Sequence, residues 1–304
     1  MKKIIKILLL LFATNVFAQN LSNIPGVFLD IGYGARPMGV GGAFTAMAND
    51  INALVWNPAG LANLQGRQIT FFYTKQFNLI PYTMAAYANN FGKTNWTHSE
   101  ALFVSGDDAL RETMFYVGFG YKADRLIRKL KLGVTLKYKN ATYGNNNDGG
   151  IGRVSGNALG MGLDFGAIYP VREKILAALV LKNVYDAVYW NSSSMGAYNQ
   201  GSPLRLSFGL ALQNFSNTTI GFDLEKALHA DTKNRLNIGI ERLFFHLVSI
   251  RAGAFQIIQP TANMNYSLGL GLQYQRNSVR SFFDLAYVIQ ELENSIRISF
   301  TLGY

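Results

Sequence analysis

The feature that most constrains this chain is a strict alternation of apolar residues with small or polar ones in segments of about ten residues. Residues 266–274 alternate Tyr and Leu with Ser, Gly and Gln, and residues 296–304 alternate Ile, Phe, Leu and Tyr with Arg, Ser, Thr and Gly. The same pattern occurs in residues 131–139 and 204–212. A period of two gives a strand one apolar and one polar face, and about ten residues is the length that a tilted membrane strand requires. The pattern therefore predicts an all-β fold, a transmembrane antiparallel β-barrel.

Composition favours strands over helices as the elements that cross a membrane. Of the 304 residues, 49% are hydrophobic and 15% are charged, and mean hydropathy is +0.09. Beyond the N-terminus no uninterrupted apolar run approaches about 18 residues, which excludes helical spans. A closed barrel also satisfies all its backbone groups in lipid. The alternative is a soluble sandwich or barrel, but its polar face would carry bulky charged side chains, whereas Gly, Ser and Ala dominate that face here.

About fourteen such segments can be counted in residues 67–304, and the lengths of their connections support the count. If strand one runs outward from the periplasm, odd-numbered connections face outside and include the long ones. The two longest, residues 141–156 and 184–202, are the fifth and the seventh. The predicted strands are residues 67–76, 79–89, 94–104, 111–121, 130–140, 157–169, 174–183, 203–213, 218–226, 234–243, 247–256, 263–275, 279–289 and 295–304.

Residues 1–18 are predicted to be a cleaved signal peptide. They combine three lysines, an apolar stretch at residues 7–13 and a small-x-small-like cleavage site at residues 16–18. The mature chain would then begin at Gln19 with a net charge of +7, because the formal +10 loses three lysines. The chain has no Cys, which excludes disulfides and thiolate metal sites.

Residues 32–64 differ from the rest of the chain because they are rich in Gly and Ala and carry almost no charge. Small residues let a backbone pack closely against a surrounding wall. Pro37 can open a short helix, and Asn57 can cap a second helix that has Pro58 at its first position. We therefore predict that residues 19–66 form a helical hatch, or plug, inside the barrel. The residues expected to build or gate it are Arg36, Pro37, Phe44, Trp56, Asn57, Pro58 and Gly60.

The same stretch carries a family resemblance. GARPMGVGGAFTAMAND at residues 34–50, followed by NALVWNPAGL at residues 52–61, is similar to the N-terminal hatch of FadL-like outer-membrane barrels, most of all in the PorV/PorQ branch, which is associated with type IX secretion. The resemblance implies a roughly fourteen-stranded barrel, closed by this hatch, in the outer membrane of a Gram-negative bacterium.

Inside such a barrel the hatch needs partners. Arg36 is the only cation of the hatch motif and is expected to pair with a lumenal carboxylate, for which the candidates are Asp164, Asp223, Glu225 and Asp284. Glycines on the strands are expected to face the lumen and make room for the hatch, namely Gly118, Gly120, Gly160 and Gly162.

Two further groups of residues are assigned outside the hatch. The final strand ends in Phe300 and Tyr304 and resembles the signal read by outer-membrane assembly machinery. The predicted outer loop at residues 184–202 carries an aromatic cluster, which is either an exposed contact surface or a self-packed cap. Its members are Tyr185, Tyr189, Trp190, Met195 and Tyr198.

The residues that could take part in catalysis or bind a metal are not spaced as they would be in a catalytic or metal site. His98, His229 and His246 are far apart in sequence and have no metal-ligand spacing, so no catalytic residue, metal or cofactor is predicted. The pI near 9.6 comes from scattered basic residues rather than clusters interleaved with aromatics, which argues against nucleic acid. Membrane lipid, anionic lipopolysaccharide and lumenal ion pairs account for the charge better.

Two functions remain. The first is a PorV/PorQ-like role in type IX secretion, in which the barrel receives secreted proteins or hands them on with other secretion components. The alternative is a gated channel for small hydrophobic molecules. The chain is short for a fatty-acid transporter and its outer loops are modest, which favours the secretion role.

Overall fold

A computed structural model of the protein shows a closed antiparallel β-barrel preceded by short helical pieces. Helix α1 spans Ala35–Gly39, helix α2 spans Ala53–Trp56, and a 3₁₀ helix spans Pro58–Asn63. None of the helices in the described part of the chain is long and apolar enough to cross a membrane. The structure describes residues 31–76, 79–92, 94–107, 109–144, 154–228, 234–258, 262–290 and 293–304.

Fifteen strands follow in the described residues, and fourteen of them close the barrel. Each predicted strand is present, and most ends lie within three residues of the prediction. The strands are β1 Arg67–Gln76, β2 Ile80–Asn90, β3 Trp96–Gly106, β4 Leu110–Lys122, β5 Lys131–Tyr143, β6 Gly156–Arg172, β7 Ile175–Ser192, β8 Gly196–Gln200, β9 Arg205–Phe215, β10 Thr218–Ala227, β11 Arg235–Phe244, β12 Val248–Ile257, β13 Asn265–Arg276, β14 Val279–Ile289 and β15 Ser295–Gly303.

The barrel closes where the first strand pairs with the last. Strands β1 and β15 are antiparallel, with Thr70 opposite Thr301, and the hydroxyl oxygens of these two residues lie 2.7 Å apart. Every other barrel strand pairs with its neighbours in chain order, because β8 only forms a short hairpin with the end of β7. No edge is therefore left open in the wall.

The faces of the wall are inverted relative to a soluble protein. On β9 the side chains of Phe208 and Leu210 are exposed, whereas Ser207 and Gly209 face inward. Exposed apolar and inward polar residues alternate in the same way on β13 and β15. An apolar outer band around a polar interior is the pattern of barrels that face lipid.

One prediction is wrong at β7. Residues 184–202 were expected to form an outer loop, but β7 continues to Ser192 and then turns into β8. The register shifts at Asp164 and Asn183, and Asn183 has a positive φ of 59°. The Asp164 carboxylate accepts the Asn183 N–H at 2.7 Å, so the residue that looked like a strand end is a β-bulge.

Candidate functional site

The N-terminal segment, residues 31–66, lies inside the barrel and follows its wall around the circumference. Its backbone groups bond to side chains of β15, β13, β11, β10, β5 and β2 in that order. The bonds run from Ala35 N–H to Ser299 Oγ (2.9 Å), Ser267 Oγ to Gly39 O (3.2 Å), Asn237 Nδ2 to Gly42 O (3.2 Å), Thr45 N–H to Asp223 Oδ2 (2.7 Å), Thr135 Oγ1 to Leu54 O (2.9 Å) and Asn90 Nδ2 to Leu64 O (3.0 Å).

Glycines of the wall allow this close approach. A Cβ at Gly133 would meet the backbone of Pro58, and one at Gly253 would meet the backbone of Gly41. Gly118 and Gly120 lie against Leu54, Leu61 and Ala62 as expected for glycines that make room for the segment. Gly160 and Gly162 also face inward as expected, but they do not make room for the segment, because they lie against the wall residues Val188, Lys137 and Asp186.

Asn57 joins two parts of the segment. Its side chain is fully buried, and its Oδ1 accepts the Ala59 N–H at 3.1 Å, as predicted for the cap of the 3₁₀ helix that Pro58 opens. Its Nδ2 donates to the carbonyl oxygen of Thr45 at 2.7 Å. One side chain therefore ties the first half of the segment to the second half.

Arg36 anchors the segment to the wall by charge. Its guanidinium contacts both carboxylate oxygens of Glu241 on β11, at 2.9 and 2.8 Å, and the Asp50 carboxylate at 2.7 Å. Burial alone would lower the pKa of Arg36, but these two carboxylates hold that pKa well above its usual value. The network continues because Arg251 contacts Glu241 at 2.5 Å and Asp284 at 2.7 Å.

The predicted partners of Arg36 were therefore wrong. Asp284 belongs to the same network but binds Arg251, and each other candidate is engaged elsewhere: Asp164 with Lys137, Asp223 with the Thr45 N–H and Glu225 with Arg205. Glu241 belongs among the candidates that the sequence offers, because it follows Gly239 by two residues and so shares its inward face.

The remaining predicted residues of the segment lie in the same interior. Phe44 packs edge-on against Trp56 with ring centroids 6.2 Å apart, and Trp56 Nε1 donates to the carbonyl oxygen of Tyr33 at 2.8 Å. Pro37 is buried as the third residue of α1, not the first, and Gly60 is packed against the carbonyl of Ala48.

An apolar row crosses the inner wall on the first four strands. Register pairs join Phe72 to Met84, Met84 to Phe103, and Phe103 to Met114, and all four side chains are buried. We call these four residues the apolar row. The ring of Tyr33 in the N-terminal segment packs edge-on against Phe103, with centroids 4.6 Å apart, and against Phe72 at 5.8 Å.

The wall next to the row, on β5 to β10, is charged. Lys139, the register partner of Met114 on β5, begins a group of inward ion pairs on β5 to β10. The pairs are Lys137 with Asp164, Lys139 with Asp186, and Arg205 with Glu225. The lumen therefore has one apolar side and one polar side.

The predicted aromatic cluster is divided by the structure. Trp190 is buried and stacks on Tyr198 with centroids 6.1 Å apart, which fits the self-packed alternative. Tyr185, Tyr189 and Met195 are exposed, so the contact-surface alternative stays a prediction for these three residues.

The two aromatic residues at the end of the last strand, Phe300 and Tyr304, lie in different surroundings. Phe300 is exposed on the outer face of β15, and Tyr304 exchanges backbone hydrogen bonds with Arg67 at the start of β1. Their role as an assembly signal stays a prediction.

Within the described residues no group of three or more His, Cys, Asp or Glu side chains is placed to hold a metal ion. His98 lies within β3 and stacks on Phe91, and His246 lies in the turn between β11 and β12. His229, the signal peptide at 1–18 and the first part of the predicted hatch, residues 19–30, lie outside the described residues.

Comparison with known proteins identifies the fold of this chain. Residues 26–152 match the uncharacterised protein family UPF0164. No curated protein sequence matches the chain. The structure is similar to the CymD monoaromatic hydrocarbon channel, with a TM-score of 0.64 and 15% identity over 91% of this chain and 97% of that one.

Two further solved structures agree. The toluene transporter TodX of Pseudomonas putida has a TM-score of 0.61 and 15% identity, and a FadL homologue of Pseudomonas aeruginosa has 0.60 and 10%. Each similarity covers 89% of this chain and 97% of the other. This chain has the FadL-like fold. The predicted antiparallel barrel of about fourteen strands is thus confirmed, whereas the hatch and membership of the PorV/PorQ branch stay predictions.

Proposed function

We propose that this protein is an outer-membrane channel for small hydrophobic molecules, non-enzymatic, in which residues 31–66 form the described part of a hatch. The apolar outer band fits a barrel that spans a membrane, and the segment that follows the inner wall fits a plug. The short chain and modest outer loops favoured the secretion role over this function.

The observation that carries the proposal is the apolar row. Lumenal faces of membrane barrels are generally polar, as β5 to β10 are here. Four apolar side chains in register across β1 to β4 form an apolar inner face that Tyr33 of the segment covers, so movement of the segment would expose this face to an apolar molecule. The row touches the hatch through Tyr33, so a molecule on it would also contact the hatch.

Similar structures point the same way. CymD is described as a monoaromatic hydrocarbon channel and TodX as a toluene transporter. We extend this activity to the present chain because it shares their fold and has an apolar inner wall of its own.

The row contains two methionines that can report binding directly. We expect toluene to shift the methyl signals of Met84 and Met114 saturably in the purified protein labelled with [methyl-¹³C]methionine. Met161 and Met195 are exposed on the outside and serve as internal controls for partitioning into detergent. Phe103→Gln should weaken the effect several-fold, and Phe103→Leu should retain it because the surface stays apolar. Equal, unsaturable shifts of all four signals would contradict the proposal.

A further inference from the structure

One rim of the barrel is strongly basic. This terminal rim carries the two ends of the wall, Arg67 and Tyr304, and the turns that follow β2, β4, β6, β9, β11 and β13. The acidic side chains among its described residues are Asp124 and Glu173. The exposed basic side chains among the same described residues are Arg67, Arg125, Arg128, Lys129, Arg172, Lys174, Arg242, Arg276 and Arg280.

The opposite rim does not share this bias. Among its described residues, basic side chains such as Lys75 and Arg111 alternate with acidic ones such as Asp107 and Glu293. Among the described residues the excess of exposed positive charge is therefore on the terminal rim, and lumenal ion pairs or lipopolysaccharide at the outer face do not account for it.

Large apolar side chains are interleaved with the basic ones at the terminal rim. Leu126 is 72% exposed and Phe245 is 91% exposed, each at the tip of a turn. Mixed basic and apolar or aromatic side chains are typical of protein surfaces at a membrane interface. The other exposed apolar residues of the rim are Phe91, Trp96, Ile127, Val171, Phe215, Leu247 and Val279.

We infer that the terminal rim binds the anionic phosphate headgroups of the phospholipid leaflet that surrounds it. A soluble partner would contact one sector, whereas basic or apolar exposed residues occur at turn after turn around this rim. A leaflet is the surface that meets the whole circumference, and anionic headgroups complement the charge. The inference rests on the proposed function, because it requires that the barrel spans a membrane.

The turn between β4 and β5 is the most basic sector. The Lys129 N–H donates to the Asp124 carboxylate at 2.8 Å, and the Leu126 N–H donates to the Ala123 carbonyl at 2.9 Å. These bonds hold the turn, so the exposed side chains of Arg125 and Arg128 can be reversed in charge without removing a hydrogen bond that shapes it.

Trp96 is a reporter beside this turn. Its ring lies 4.5 Å from that of Tyr121, next to Lys122, and it is 49% exposed. Trp56 and Trp190, the other two tryptophans, lie inside the barrel and give a background that lipid does not quench.

The test compares quenching of tryptophan fluorescence by brominated phosphatidylglycerol and brominated phosphatidylcholine in bilayers that contain the full protein. We expect phosphatidylglycerol to associate several-fold more strongly near Trp96, and we expect this preference to fall toward one in Arg125→Glu/Arg128→Glu and at about 0.5 M salt. Lys75→Glu, an exposed charge reversal on the opposite rim, should keep the preference.

Equal association of the two lipids with the wild type, or an unchanged preference in the double variant, would overturn the inference. So would relief of quenching by added lipopolysaccharide, which would assign the phosphate groups to that source. If neither brominated lipid quenches Trp96, the membrane barrel itself is contradicted, so failure of the inference and failure of the proposed function give different results.

Discussion

Arg36 of the N-terminal segment and Glu241 of β11 are joined by two parallel hydrogen bonds, Nε to Oε2 at 2.9 Å and Nη2 to Oε1 at 2.8 Å. Two-point pairs of this kind fix orientation as well as position. The wall strand supplies one partner and the segment supplies the other. The pair therefore holds the segment in its place in the lumen.

We expect Arg36→Ala to loosen the segment while the barrel stays assembled. Glu241 keeps Arg251 as a partner, so the cost should be near the low end for a broken buried pair, about 3 kcal/mol. In planar bilayers the variant should open more often than a mostly closed wild type. Lys75→Ala removes an exposed cation elsewhere and should leave conductance unchanged. A wide-open wild type would contradict the plug.

Asn57→Ala should loosen only the part of the segment around Asn57, whereas Arg36→Ala removes its anchor to the wall. The Asn57 substitution removes the cap on Ala59 and leaves the buried Thr45 carbonyl without its donor, which together cost about 2–4 kcal/mol. Amide exchange in residues 40–64 should become more than tenfold faster, while β13 is unaffected. Asn57→Asp keeps the acceptor for the Ala59 N–H and should have a smaller effect at the 3₁₀ helix. Unchanged exchange in Asn57→Ala would refute this role.

Gly133→Ala should prevent the segment from seating, because its methyl group would meet the backbone of Pro58. Gly303→Ala is the matched control, since a methyl group there meets its neighbours at an ordinary 3.6 Å or more. Cells that make the Gly133 variant should become sensitive to a large antibiotic that the outer membrane normally excludes. Equal resistance of the two variants would show that close packing at Gly133 is not required.

Phe208→Arg and Ser207→Arg test which face of β9 meets lipid. Phe208 points outward, so a cation there should cost about 2–4 kcal/mol near the midplane and reduce assembly into the heat-modifiable form seen on gels. Ser207 points inward next to Glu225, so its variant should assemble normally. Similar assembly of both variants would mean that the faces are assigned wrongly.

Strand positions could be predicted because the two-residue period continues through most of the strands. The end of β7 could not be predicted, because the bulge at Asn183 shifts the register. Only the pairing of β7 with β6 reveals this shift. The partner of Arg36 could not be chosen either. Several inward carboxylates were available, and the choice depends on which strand the segment passes at Arg36.

The apolar row has a signal in the sequence. Phe71, Phe72 and Tyr73 are three consecutive apolar residues that break the alternation on β1. The structure shows that Phe72 faces inward and belongs to the row, so a strand with two apolar faces marks the part of the wall that faces an apolar lumen.

Uptake of a hydrocarbon tests the central proposal most directly. A bacterial host without its own hydrocarbon and fatty-acid channels would be made to produce the wild type, Phe103→Gln or Phe103→Leu, each at equal assembly in the outer membrane. We predict that radiolabelled toluene enters several-fold faster with the wild type and with Phe103→Leu than with Phe103→Gln. Uptake no faster than in the host alone would contradict the channel.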